Sequence, residues 1–471
     1  MRRPANKTLF NEFQYVKKFR DSEIELENIT GNLPEVAFIF PDNYKIASSS
    51  LAWSWIQRLL SLNKVSIHRF FYENWFRKFY SLEKQTPIDE YPIWMFTIQF
   101  ENNLINIADM LVKKNIPLKS TERTAHHPLI IIGGPVTFFN HHLLEEIADF
   151  VFIGDLEPEA EQFADAILEY IRTKNPESFR RIGGIYSLKY KKTHYRKYNG
   201  TLSPVPHSHY ITPYSTFPNK LLIEIGRGCI WRCAFCVTGY TKKPVKFAEI
   251  DEVKHIIEKY HEKEFGFISA TITDYPYLSN LLEYIKNKDI KFSVSSLRVD
   301  KLDKNLVYLL RKSNQQSFTL APEGISQKLR NAMLKDIDTE SIFNALRIGI
   351  EVGFESVKLY YIVGLGEDES DYIEFFEFLQ EVQRLGYKQI ALSINPLVPK
   401  PKTPFEKKKI VDKKTYDEIV KRIRKNLPRN IKANFESYKE AQLQYELAHL
   451  KGAQTVDFLK RYLKLYYSNL S

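Results

Sequence analysis

Short apolar runs alternate with amphipathic helical stretches along most of this chain, and that alternation limits its fold more than any other feature. Residues Glu35–Phe40, 91–98, 129–135 and 150–155 read as buried strands, and helical patterns cover residues 49–62, Asn103–Lys113 and 157–173. Continuous apolar strands separated by helices predict a parallel sheet covered on both faces, a Rossmann-like domain. Ligands in such sheets bind beyond the strand carboxyl ends, where Gly133, Gly134 and Gly154 stand. Glycines are also ordinary turn residues there, so by themselves they point only weakly to a ligand.

A second alternating series begins at residue 221. Strands are expected at 221–226, 267–272, 292–297, 317–321, 357–364 and 390–395, with helices at 251–261, 277–286, 342–352 and 370–384 between them. Six β/α units make a partial (β/α)6 barrel of TIM type, whose chemistry belongs at the carboxyl ends of its strands. The chain has 471 residues, too many for one core. The expected division is a Rossmann-like domain over 1–180, a linker over 181–214 rich in Lys, Tyr, His and Pro, the barrel over 215–405, and a basic helical C-terminal extension over 406–471.

Only three cysteines occur, Cys229, Cys233 and Cys236, and all lie within eight residues. Disulfide cross-linking is excluded, and metal binding is the natural reading. They follow the first barrel strand in C-x3-C-x2-C spacing, in the text Gly226-Arg227-Gly228-Cys229-Ile230-Trp231-Arg232-Cys233-Ala234-Phe235-Cys236. Three thiolates can hold three irons of a [4Fe–4S] cluster and leave the fourth open, as a catalytic metal needs. Glycines at 226 and 228 let the loop fold around it. A zinc site completed by His207 and His209 is the weaker competitor, because structural zinc favours paired C-x2-C groups. An electron-transfer ferredoxin would need a fourth cysteine.

This motif, with Phe235 before the last cysteine, resembles the signature of the radical SAM superfamily. Residues 320–330, 294–298, 364–368 and 395–405 resemble further segments of one branch of it. That branch carries an N-terminal cobalamin (B12)-binding-like domain, echoed here by Phe40-Pro41-Asp42, Gly133-Gly134-Pro135 and residues 153–157. The resemblance implies a [4Fe–4S] cluster on Cys229, Cys233 and Cys236 that cleaves S-adenosylmethionine reductively to a 5′-deoxyadenosyl radical, which then modifies a substrate. It places Phe235 near the adenine. Thr273 and Asp274 stand at the second strand end, where the superfamily often has Gly-Gly-Glu. Ser295 and Arg298 stand at the third, Arg298 as a partner for the methionine carboxylate. Glu323 would meet the ribose or the ammonium, and Val363 and Gly364 would present backbone near the adenine. The competing reading is a structural ion pair across the barrel mouth for Arg298 and Glu323, which is the weaker of the two, and turn geometry alone for Val363 and Gly364, which is as strong. The resemblance also implies an electron donor such as ferredoxin or flavodoxin. Cobalamin stays open as a cofactor: none of the eleven histidines has an Asp two residues before it, but a histidine ligand is not required in every relative.

The net charge is +11, and residues 400–432 hold 13 Lys/Arg against four Asp/Glu. Such a segment is either the solvated face of a helix or a contact for RNA phosphates. No apolar h-region follows the basic start and no stretch is long enough to span a bilayer, so a cytoplasmic protein is expected. Three functions remain: a radical SAM enzyme acting on an unidentified substrate, with RNA as one candidate; a cobalamin-dependent methyltransferase or C–C bond-forming enzyme acting on a small molecule or lipid; and a non-enzymatic iron–sulfur sensor or scaffold.

Overall fold

The computed structural model describes residues 5–29, 34–190, 202–294 and 297–468. They form two compact units. One comprises Met1–Asn199, His207–Leu221 and Glu446–Ser471; the other comprises Gly200–Pro206 and Leu222–Tyr445.

The first unit opens with α1 (Ala5–Ser22) and is built on six strands. These are β1 (Glu35–Phe40), β2 (Ser66–Phe71), β3 (Ile93–Thr97), β4 (Leu129–Gly133), β5 (Phe150–Phe152) and β6 (Ile185–Tyr186). Their order is β2-β1-β3-β4-β5-β6. The first five are parallel and β6 is antiparallel. Helices α2 (Leu51–Leu62), α3 (Asn103–Lys113) and α4 (Ala160–Thr173) form the crossovers. A 2-1-3-4-5 order of parallel strands is a doubly wound arrangement with its switch point beside the first strand.

Strand β2 was not anticipated, because His68 and Arg69 interrupt its apolar text. Both are buried and satisfied. His68 Nδ1 lies 2.6 Å from Tyr91 Oη. Arg69 pairs with Glu23 at 2.5 Å and Glu83 at 2.7 Å, and its guanidinium lies 4.1 Å from the Tyr210 ring centroid. A cation this enclosed is tolerated because two carboxylates meet it.

Strand β7 (Lys220–Glu224) leads from the first unit into the second. A short antiparallel ribbon, β8 (Gly226–Arg227) with β9 (Lys246–Phe247), encloses the cysteine loop in sequence. Then follow α5 (Ile250–Lys259), β10 (Glu264–Ile268), α6 (Leu278–Asn287), β11 (Phe292–Val294), α7 (Lys304–Lys312), β12 (Ser317–Glu323), α8 (Gln327–Ala332) and α9 (Thr339–Glu351). The series ends with β13 (Ser356–Val363), α10 (Glu369–Arg384), β14 (Gln389–Pro396), α11 (Lys413–Asn426) and β15 (Ile431–Phe435). Two sheets result, β11-β10-β7 and β12-β13-β14-β15. Pairing in the second is parallel throughout. Helix starts are fixed by Asp side chains. Asp303, Asp338, Asp368 and Asp412 each accept from backbone amides of the first turn, and Asp368 forms a capping box with Asp371.

Two expectations change. The region 406–471 is not only helical: β15 adds a seventh parallel strand, its alternation Ile-Lys-Ala-Asn-Phe hidden within the basic text. Helices α12 (Tyr438–His449) and α13 (Ala453–Ser468) close the described chain, and from Glu446 onward it clusters with the first unit. There Asn140 Nδ2 donates to the carbonyls of Ala448 and Leu450 at 2.9 and 3.0 Å. The strand expected at 267–272 lies earlier, at Glu264–Ile268, and Ile272–Asp274 is a tight 3-10 turn.

Candidate active site

The cysteine loop leaves β8 through Gly228, whose φ of +92° is left-handed. A Cβ there would stand 2.4 Å from Lys242 O, so only glycine fits. Gly239 is as constrained: its Cβ would fall 2.0 Å from Trp231 O. The loop thus folds back on the short helical turn Thr238–Thr241 that follows it.

Loops from distant strands hold it in place. Ala234 N donates to Met333 O at 2.7 Å, and Phe405 N donates to Ala234 O at 3.3 Å. Ala234, Met333, Leu397 and Phe405 form a buried apolar cluster, with Phe235, Ile362 and Leu365 packed against it. Met333 follows α8, Leu397 follows β14, and Leu365 follows β13. The carboxyl-end loops of three strands therefore clamp the cysteine segment, where barrel chemistry is expected.

Cys233 is buried, and Cys229 and Cys236 are half-buried. Burial pushes the Cys229 thiol up, while the Trp231 amide and Thr271 hydrogen-bond it and pull the other way. Burial likewise raises Cys233, opposed by the nearby positive charges of Lys335 and Arg298. Cys236 acts electrostatically on both of the others. Among the described residues no three His, Cys, Asp or Glu are gathered tightly enough to hold a single ion. His209, once a zinc candidate, has a partner of its own: its Nδ1 lies 2.9 Å from Ser54 Oγ. Three thiols, Cys233 among them with Lys335 and Arg298 nearby, and no fourth cysteine in the chain, suit three of the four irons of a cluster.

The other expected site residues fall into distinct groups. Phe235 sits in the clamp. Asp274 is fully engaged, accepting from Trp231 Nε1 at 2.7 Å, Thr271 Oγ1 at 2.6 Å and Lys301 Nζ at 3.2 Å. Thr273 Oγ1 is buried without a hydrogen-bond partner. Arg298 is buried, with its guanidinium 3.4 Å from the Trp231 ring centroid and Nη2 donating to Lys335 O at 3.0 Å. Its Nε lies 2.7 Å from Asp300 Oδ1 but without hydrogen-bond alignment. Glu323, at φ +69° beyond a register shift in β12, pairs with Lys335 Nζ at 3.4 Å. Burial raises its pKa and Lys335 opposes the rise. The Val363 carbonyl accepts from Leu397 N at 2.8 Å, and Gly364 N donates to Glu367 Oε1 at 2.7 Å. Ser295 lies outside the described residues.

Sequence reasoning missed Trp231, Met333 and Lys335, and read Thr271 only as backbone at the second strand end. Trp231 lay within the motif and could have been weighed. Lys335 and Met333 carry no local pattern and become visible only when α8 is folded.

Comparison with known proteins agrees with this geometry. Residues 223–379 match the radical SAM superfamily, and residues 65–187 match the N-terminal region of radical SAM proteins. The chain is a radical SAM protein. A radical SAM domain makes it an enzyme of this class, using a [4Fe–4S] cluster and S-adenosylmethionine. An uncharacterised protein of Methanocaldococcus jannaschii is 26% identical over 430 residues, 88% of each chain. The threonylcarbamoyladenosine tRNA methylthiotransferase MtaB of Aquifex aeolicus is 25% identical over 230 residues, 45% of this chain and 54% of that one. In fold, the chain is similar to the radical S-adenosylmethionine methyltransferase TsrM of Kitasatospora setae, with TM-score 0.55, 13% identity, and coverage of 79% of this chain and 77% of that one. It is also similar to the cobalamin-dependent S-adenosylmethionine radical enzyme OxsB, with TM-score 0.54, 11% identity, and coverage of 92% and 71%. No described helix is long and apolar enough to cross a membrane.

Proposed function

We propose that Cys229, Cys233 and Cys236 hold the cluster and that the second unit directs radical chemistry to a C–H bond of a bound substrate. The clamped loop carries this reading: three thiols fixed at the carboxyl ends by Met333 and Phe405. When bound, the cluster and S-adenosylmethionine together supply a 5′-deoxyadenosyl radical. Phe235, Leu397 and Phe405 exclude water around the thiols. Thr273 Oγ1, buried and unpartnered, is a free polar group for the cofactor. Asp274 and Arg298 act through Trp231 as positioning residues, since the side chains of both are already engaged. Glu323, with Lys335, sets the charge at the fourth strand end.

The test is anaerobic. The protein is reconstituted with iron and sulfide, reduced, and given S-adenosylmethionine, with Cys233→Ala as control. Formation of 5′-deoxyadenosine by the wild type alone supports the reading. A complete cluster with no product, with or without candidate substrates, promotes the sensor or scaffold role. Reduction in this assay also admits ferredoxin or flavodoxin as the donor to be compared.

The strand order of the first unit favours a second version, in which that unit carries cobalamin for methyl transfer or C–C bond formation. Its residues supply no histidine of the D-x-H type, so any cobalamin would lack that ligand. Incubation with hydroxocobalamin, followed by gel filtration and the visible spectrum, decides between retention and none. The RNA version rests on Lys407, Lys408 and Lys409, which are exposed and have no ion-pair partner among the described residues. Elsewhere the basic segment is partly neutralised, Lys413 by Asp417 and Arg422 by Glu369.

A further inference from the structure

The sheet β12-β13-β14-β15 has two unlike faces. Val357, Leu359, Tyr361 and Val363 are buried and turn towards the helices. The Tyr361 ring meets Phe375 of α10, with centroids 5.0 Å apart. Phe318 lies close to Gly349 of α9 and stacks near Phe354. The alternate residues therefore share the other, inner face, and the register aligns them in rows.

Charge on that face is sorted by depth. At the carboxyl ends stand Ile362, paired with Asn395, and Glu436, whose amide donates to Ile394 O at 3.1 Å; Glu323 lies beyond a register shift in β12, opposite Tyr361. The next row is Tyr360, Ser393 and Asn434. Beneath it lie Thr319, Lys358, Ala391 and Lys432. Ile362 packs against the apolar cluster of the thiol loop, so the carboxyl end of this face is the end where a cationic sulfonium cofactor belongs. The two cations stand four residues deeper, about 13 Å down the strands at ~3.3 Å per residue.

Neither lysine has a carboxylate partner among the described residues. Lys358 is partly buried, with Nζ 4.5 Å from the Tyr360 ring centroid. Ala391 separates the two lysines in the register and leaves room between them. Their strands are two spacings apart, about 10 Å, so two long side chains can converge on one ligand. Lys432 is exposed, but Lys358, partly buried and lacking a counter-charge, is costly unless something anionic arrives.

We propose that the inner face binds a substrate through an anionic group, phosphate or carboxylate, held by Lys358 and Lys432. The rest of the substrate then points up the strands past Tyr360 and Ser393 and brings its reacting C–H to the level of the cysteine loop. This deepens the proposed function and rests on it for the identity of the reacting end, but not for the anion site.

The test is lysine acylation of the reconstituted holoenzyme, read by mass spectrometry residue by residue. One arm adds inorganic pyrophosphate, another succinate, and exposed Lys413 and Lys414 serve as references. The expected result is a several-fold slowing at both Lys358 and Lys432 in one arm, which identifies phosphate or carboxylate, without slowing at the references. Lys358→Met is expected to remove protection of Lys432, and Lys432→Met that of Lys358, the cluster spectrum serving as the check on folding. Labelling of Lys358 unchanged in both arms, or slowed no more than the references, overturns the proposal. Protection without 5′-deoxyadenosine formation would count against the proposed function alone.

Discussion

The Arg298 guanidinium lies 3.4 Å from the centre of the Trp231 ring, while the indole Nε1 donates to Asp274 at 2.7 Å. One side chain between two cysteines is thus held on its face by a cation and at its edge by an anion. Trp231→Phe keeps the face and loses the edge, and Arg298→Lys loses the flat stacking partner. A cation–π contact of this kind contributes about 0.5–2 kcal/mol. Both variants are expected to lose iron to a chelator faster than wild type, Arg298→Lys the more so. Equal rates of iron loss would show that Trp231 does not steady the loop.

Phe405 is buried in the cluster that clamps Ala234. Phe405→Ala removes that packing and is expected to destabilise the second unit by about 3–5 kcal/mol. Denaturant unfolding followed by hydrogen exchange should localise the loss to the segments around Ala234, Met333 and Leu397. A loss confined to the first unit would contradict the assignment.

His209 is buried in the first unit, and its pKa is held well below the usual histidine range by burial and then by the Arg69 charge, with Arg58 and His207 adding and Glu27 opposing. A lowered folded pKa means that the folded protein keeps this ring neutral. Its stability is full above the unfolded value near 6.5 and is lost as pH falls below it, at up to ~1.4 kcal/mol per pH unit. His68 is lowered in the same direction and adds to the slope. His209→Gln should flatten the acid side of a thermal-stability profile. An unchanged profile would remove His209 from the account.

RNA affinity is expected to depend on the three lysines at 407–409, which have no ion-pair partner among the described residues. For single strands, replacing all three with Ala should lower the slope of log affinity against log salt by about 2, at ~0.7 per phosphate contact. Affinity indifferent to salt, or a slope unchanged in the triple variant, would sink the RNA reading.

Strands whose text is apolar throughout were legible in advance. Glu35–Phe40 was placed to the residue, and the alternation of β13 and β14 was found within one or two residues of each end. Ser66–Phe71 was not, because Arg69 is made tolerable by Glu23 and Glu83, which are distant in sequence. Ile431–Phe435 was obscured because a strand with two exposed positions inside a lysine-rich region resembles a solvated helix. In the site, the cysteines announce themselves by spacing alone. Arg298 shows the limit of that reasoning: its residue type suggested a ligand for a carboxylate, while folding gives it Trp231 and the Lys335 carbonyl. Spacing indicates which groups are near a strand end but not which of them already have partners.

The last stretch of the first unit, Glu446–Ser471, follows the whole of the second unit in the chain. On the ribosome, domains ordinarily fold from the N-terminus onward. Here the second unit can emerge and acquire its metal before the first has received its closing helix. Maturation of the enzyme can therefore be staged, with the thiols loaded while the doubly wound unit still lacks its last helix.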